Sequence, residues 1–178
     1  MRKLILSFIL ALAGSAAGVS AEAAEELRIG ISQYPTTLHP SREASVAKSY
    51  VLSMTRRPMT VYDQQWELIC MLCVEVPSIE AGSAVPEDLP PGVEGAGDGR
   101  GIAMTYSIQP GATWGDGTPV STRDVMFTWK AGRHPTAGIG NLELYRRIHA
   151  IDVIDDKTFV IHADRISFEY AAINDFRL

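Results

Sequence analysis

Residues 113–129 read TWGDGTPVSTRDVMFTW, a chain reversal, a short extended piece and a helix start within seventeen residues. Gly115-Asp116-Gly117 is a turn signal, because glycine adopts positive φ at little cost and an Asp side chain bonds its own backbone two residues on. Pro119 and Val120 then hold the chain extended. Ser121 opens a capping box: its hydroxyl is placed to take the amide of Asp124, while the Asp124 carboxylate reaches back and suits the positive end of the helix dipole. Val125, Met126 and Trp129 follow at i, i+1 and i+4 and give the helix an apolar face. Gly132 and Pro135 are expected to end it.

Upstream, residues 102–109 (IAMTYSIQ) alternate, which puts Ile102, Met104, Tyr106 and Ile108 on one face of a strand leading into the turn. Downstream, Pro135, Gly138 and Gly140 make residues 134–140 loop-like, and residues 141–147 support a helical turn. Residues 148–153 and 158–163 alternate around Ile and Val positions and flank Asp155-Asp156-Lys157, the pattern of a hairpin whose turn acids are solvated.

This order of strand, Trp114-Gly115-Asp116-Gly117-Thr118-Pro119-Val120, Ser121 cap and Asp124-Val125 closely resembles the signature of the family 5 extracellular solute-binding proteins. These are the oligopeptide- and dipeptide-binding receptors of bacterial ABC importers. The family pattern runs Trp, a small or polar residue, Asp-Gly-Thr-Pro-Val, Thr or Ser, two residues, Asp-Val. Residues 27–30 (LRIG) and the loop ending in Leu38-His39-Pro40 resemble the family's opening, with His39 where Asp is usual. Gln109-Pro110-Gly111 carries an amide where the family has a basic residue.

The resemblance implies a mixed α/β (α+β) chain, the N-terminal part of a two-lobe, type II periplasmic-binding-protein fold. Residues 24–178 then form a partial lobe, with an accessory subdomain over about 50–162. The second lobe and hinge are expected to lie beyond this length, giving a truncated receptor that binds weakly or not at all by itself. What the resemblance implies for function is a binding protein and no enzyme, without cofactor or metal, monomeric, taking a peptide or other small solute. Its partner is the membrane permease of the ABC transporter. The family's cleft borders the loop after the first strand and a segment after the signature helix. Gln33, Tyr34, Leu142 and Tyr145 are therefore the candidate ligand-binding residues.

Elsewhere the reading rests on the residues alone. Residues 27–32 (LRIGIS) are weakly alternating and β-branched, so a strand is expected, and residues 33–40 bend away with two prolines barring helix. Ser41 as cap, Glu43 in the first turn and Val46, Tyr50 and Met54 every four residues predict a helix over 41–54. Arg56-Arg57 sit near its C-terminal end, where cations are favoured. Residues 59–62 suit a short strand and 63–65 a turn.

Residues 66–77 (WELICMLCVEVP) form an apolar run with Cys70 and Cys73. In an extended strand, i and i+3 face opposite ways, which disfavours a bond between them. Buried free thiols are the leading reading, a local disulfide the second and a redox or metal role the third, since two cysteines alone do not make a zinc site. Residues 78–101 hold three prolines and six glycines with spaced acids, and predict a long exposed loop joining two strands. Its acids lack the compact spacing of a calcium loop.

His134, His149 and His162 occur neither as H-x-x-x-H nor beside carboxylates at ligand spacing, which argues against a zinc enzyme. A reading from another class is a small secreted hydrolase with Asp116 and Asp124 as paired acids. Both are already explained, as turn and cap residues, and no nucleophile elbow or phosphate loop accompanies them.

Residues 1–23 carry the marks of an export signal: Arg2 and Lys3, an apolar run over 4–13, and Val19-Ser20-Ala21 or Ala21-Glu22-Ala23 as cleavage site. The apolar run is too short for a stable span. Cleavage after Ala23 removes two of 16 basic and one of 21 acidic residues, leaving 14 against 20 and a formal charge of −6. That balance argues against nucleic acid, which needs a basic footprint. The composition, 46% apolar and 21% charged, is that of a globular protein. In a Gram-negative cell the mature chain is expected in the periplasm. Intact mass of the exported product should show loss of residues 1–21 or 1–23; a mature chain still starting at Met1 would overturn the export reading.

Overall fold

The computed structural model describes residues 27–42, 45–173, 176 and 178; the export segment and Glu43 lie outside the described residues. The chain divides into two units, Met1–Ser32 and Gln33–Leu178. In the first, residues 27–32 form no strand, contrary to expectation, and Leu27 and Ile29 are exposed. The physical reason is the missing neighbour: among the described residues no strand pairs with this segment, and β-propensity alone supplies no partner for backbone N–H and C=O groups.

The second unit runs α1 (Val46–Thr55), β1 (Thr60–Tyr62), β2 (Leu68–Cys70), β3 (Ala84–Asp88), β4 (Arg100–Ser107), α2 (Thr122–Arg133), α3 (Leu142–Arg147), β5 (Ile148–Val153) and β6 (Thr158–Ala163). β1 and β2 pair as a hairpin, and β3-β4-β6-β5 form an antiparallel sheet. The alternation in β4 has the expected consequence. Ile102, Met104 and Tyr106 are buried, and Ile108 just beyond the strand is buried too, bridged to Cys73. Tyr106 lies opposite Phe159 of β6, with ring centroids 5.8 Å apart and nearly parallel planes. The Tyr106 hydroxyl donates to the Ala171 carbonyl at 2.9 Å, so the buried phenol is satisfied, and burial raises its pKa above the usual tyrosine range. Val125 of α2 and Tyr145 of α3 complete the core. Each such large apolar side chain contributes about 1.5–3 kcal/mol on full burial.

The turn and helix start form as the sequence dictates. Gly117 takes φ 86°, the Trp114 amide donates to the Thr118 carbonyl at 2.8 Å, and Asp116 Oδ1 accepts the Thr118 amide at 2.9 Å. The capping box closes, with the Ser121 amide donating to Asp124 Oδ2 at 2.7 Å. The helix start is also clamped to the β5–β6 turn. The Thr122 amide donates to Asp156 O at 2.9 Å, its hydroxyl to Asp155 O at 2.9 Å, and Lys157 Nζ to Val120 O at 2.6 Å.

Four expectations need correction. Gly132 is not the stop signal of α2, which runs on to Arg133; a Cβ on Gly132 would stand 2.2 Å from the Tyr145 ring, so glycine is there for close approach. α1 starts at Val46 with Ser45 as its cap, not Ser41, and Val46, Tyr50 and Met54 are exposed while Ala47, Lys48 and Leu52 are buried. Lys48 can face inward because its ammonium donates to the His39 carbonyl at 3.3 Å and to that of Arg42. The span 78–101 is no continuous loop, since it contains β3; Pro86 is tolerated there because β3 is an edge strand. Cys70 and Cys73 are joined in a disulfide, with Cα atoms 5.1 Å apart. The strand ends at Cys70 and the chain bends through Met71 and Leu72, so the two side chains no longer alternate.

Ser121→Ala should cost about 1 kcal/mol in urea unfolding, and Asp124→Ala at least as much because it removes the carboxylate that accepts the Ser121 amide. Gly132→Ala should cost about 1–3 kcal/mol by overpacking against Tyr145, and the double variant Gly132→Ala/Tyr145→Leu should recover part of it. Parent-like melting of Gly132→Ala would show that the helices separate freely.

Candidate functional site

A cavity of about 430 Å³ opens between the loop around His39–Ser41, the exposed side of α2 and the segment leading to α3. Local sequence explains each wall. The Gly-Asp-Gly reversal presents Trp114, and helical spacing places Phe127, Thr128 and Ala131 along one side of α2. The loop side is held by Lys48 on the carbonyls of His39 and Arg42, and by Ser41 O, which accepts the Gly140 amide at 2.8 Å. The walls are mainly apolar, from Trp114, Phe127 and Ile139, with His39, Arg56 and Thr128 as polar points. Phe127 is 73% exposed, an aromatic ring left facing solvent at the rim. Arg56 also borders a second cavity of about 360 Å³ beside Leu52, Val61 and Met71.

Of the four residues singled out from the sequence, the structure brings one to this cavity. Tyr145 forms part of its lining, yet it is only 2% exposed and packs on Gly132 and on Phe176, ring centroids 5.8 Å apart. Leu142 lies one helical turn away on α3 and is half-buried, outside the lining. Gln33 and Tyr34 lie in an irregular segment, exposed, and neither lines the cavity. Sequence reasoning missed Phe127 and Trp114 as wall residues. The available signal was Phe127 itself, a large aromatic off the Val125–Trp129 face of its helix.

The two acids of the hydrolase reading are engaged separately. Asp116 is exposed, and the Thr118 amide holds its carboxyl below the usual carboxylate range, the opposite of what a general acid needs. Asp124 is bound to Ser121 through its amide and, at 3.2 Å, its hydroxyl. Trp129 is likewise a structural residue, with Nε1 donating to Ile148 O at 3.0 Å and the Arg133 guanidinium 5.2 Å from its ring centroid.

His134 Nδ1 lies 3.0 Å from the Thr136 hydroxyl. His149 and His162 meet on the sheet, ring centroids 5.8 Å apart and beside Glu87. Burial, and then the neighbouring His162, lower the His149 pKa. This group shares no residue with the cavity.

No helix among the described residues is long and apolar enough to cross a membrane. No family model and no curated protein matches the chain. Solved structures do. The oligopeptide binding protein of Thermus thermophilus, complexed with a pentapeptide, matches with TM-score 0.64 at 22% identity, over 79% of this chain and 22% of that one. The oligopeptide-binding protein AppA of Bacillus subtilis, in complex with a nonapeptide, gives TM-score 0.59 at 15% identity, over 81% and 25%. The murein tripeptide binding protein MppA of Escherichia coli gives 0.58 at 17%, over 83% and 29%. The chain thus spans less than a third of the length of these proteins. What the likeness establishes is the architecture: this chain has the mixed α/β fold of one part of these larger binding proteins.

Proposed function

We propose that the chain contributes part of the substrate-binding lobe of a periplasmic solute-binding component of an ABC importer, with a peptide as its solute and the importer's membrane permease as its partner. The observation that carries this reading is the shared fold over about four fifths of the chain with proteins solved holding a pentapeptide and a nonapeptide. The cavity is compatible with it. Its apolar wall of Trp114, Phe127 and Ile139 suits side chains, and the Thr128 hydroxyl offers a hydrogen bond to a peptide backbone. Gln33, Tyr34 and Leu142 remain assigned to the rim on the strength of the family resemblance alone.

A receptor of this kind gains affinity by enclosing its solute, and this cavity is open on one side. Contacts missing from an open wall and worth about 4 kcal/mol weaken binding roughly a thousandfold. Calorimetric titration of the monodisperse chain with di- to pentapeptides is the test. The expected result is saturable binding in about the millimolar range, weakened about fivefold by Phe127→Ala. Absence of binding, or binding indifferent to Phe127→Ala and Trp114→Ala, would overturn the assignment of this cavity. Micromolar affinity would overturn the one-wall account.

A further inference from the structure

The face of the sheet turned away from the core carries an arrangement that the sequence spacing conceals. β5 and β6 pair Ile148 with Ala163 and then Ala150 with His162, so His149 is an extra residue in a bulge. A bulge re-aims the side chain at its crest, and this one sets His149 beside His162. Glu87 arrives from β3, two strands away. It lies opposite Gly101 on β4, while His162 lies opposite Ala103 of the same strand. With only hydrogen and methyl on the intervening strand, the carboxylate crosses it freely. Glu87 Oε1 and Oε2 stand 2.9 and 3.1 Å from His162 Nδ1, and Oε1 stands 3.8 Å from His149 Nε2.

Ligand atoms from the three side chains all lie within 4.8 Å of one another, and all three residues are partly buried. Zinc bonds imidazole nitrogen and carboxylate oxygen at about 2.0–2.2 Å, which sets tetrahedral ligand atoms roughly 3.4 Å apart. The observed 2.9 and 3.8 Å separations bracket that spacing. Among the described residues, His149 Nε2, the atom turned toward Glu87, is a buried nitrogen with no hydrogen-bond partner, a cost that calls for a compensating ligand. On the far side of His162, Asp152 Oδ2 is 3.3 Å from Nε2. A ligating imidazole commonly donates its second N–H to such a carboxylate, which fixes ring and tautomer.

We propose that Glu87, His149 and His162 form a binding site for a divalent cation of the zinc class, with Asp152 orienting His162 from outside. One carboxylate and two imidazoles suit a borderline metal, and a water completes the tetrahedron. The ion takes the place of the proton shared by His162 Nδ1 and Glu87. This assignment is independent of the peptide reading, since the two sites lie on different faces and share no residue.

The test is zinc titration against a chromophoric chelator, using the full chain without a histidine tag and with the Cys70–Cys73 bond intact. One zinc per chain is expected, with His134→Ala like the parent and His162→Ala without binding. Asp152→Asn should bind about tenfold more weakly, as expected for a residue that orients a ligand. Glu87→Gln retains side-chain shape and a hydrogen bond to imidazole, so it should keep the metal-free melting temperature while losing zinc at least tenfold. It therefore answers the question even if His162→Ala fails to fold. No saturable zinc uptake by the parent, or uptake unchanged in Glu87→Gln, overturns the proposal.

Discussion

The clamp between the start of α2 and the β5–β6 turn is the constraint on which the rest of the structure depends. A helix start leaves amides without partners, and here those of Ser121 and Thr122 are answered from two directions. Asp124 closes the box locally, and carbonyls of Asp155 and Asp156 receive Thr122 from a hairpin more than thirty residues away. The turn is itself stiffened, because Asp155 Oδ1 accepts the amides of Lys157 at 2.7 Å and Thr158 at 2.8 Å. Those bonds hold the Asp155 carboxyl below its usual range. One motif thus fixes both the direction of α2 and its distance from the sheet, so that Val125 reaches the core and Phe127 does not.

What was legible in the sequence was whatever is decided within a few residues. The Gly-Asp-Gly turn, the Ser121–Asp124 box, the alternation of Ile102, Met104 and Tyr106 and the Asp155 hairpin are local, and each has the expected form. Where the outcome depends on a distant partner, local pattern fails. Val46, Tyr50 and Met54 make a valid helical stripe, but it is Lys48 that turns inward, because carbonyls from the preceding loop receive its charge. β3 mixes Pro86 with Glu87 and Asp88, a composition of loops, and becomes a strand only because β4 lies beside it. The disulfide escaped because a bend, not an extended strand, joins its two cysteines.

The candidate site divides in the same way. Tyr145 was singled out through family resemblance, and geometry makes it the buried ring that fits against Gly132. Trp114 and Phe127 required knowledge of which side of α2 faces the cavity. The histidine group drew on three strands whose sequence order, β3, β5 and β6, says nothing of their spatial order. A single bulge decides it, and bulges leave no reliable mark in one sequence. The sheet therefore separates two chemistries: apolar packing and the cavity on the helix side, titratable groups on the other.

The same bulge has a consequence for how this molecule meets its own copies. Among the described residues β3 and β5 are the two outer strands of the sheet, the places where another chain could pair. β3 interrupts its edge with Pro86, which has no N–H to give. β5 interrupts its edge at His149, where the extra residue breaks the spacing of donors and acceptors. Neither border offers a regular template for a fifth strand, so the sheet is guarded on both sides against growing into a fibre.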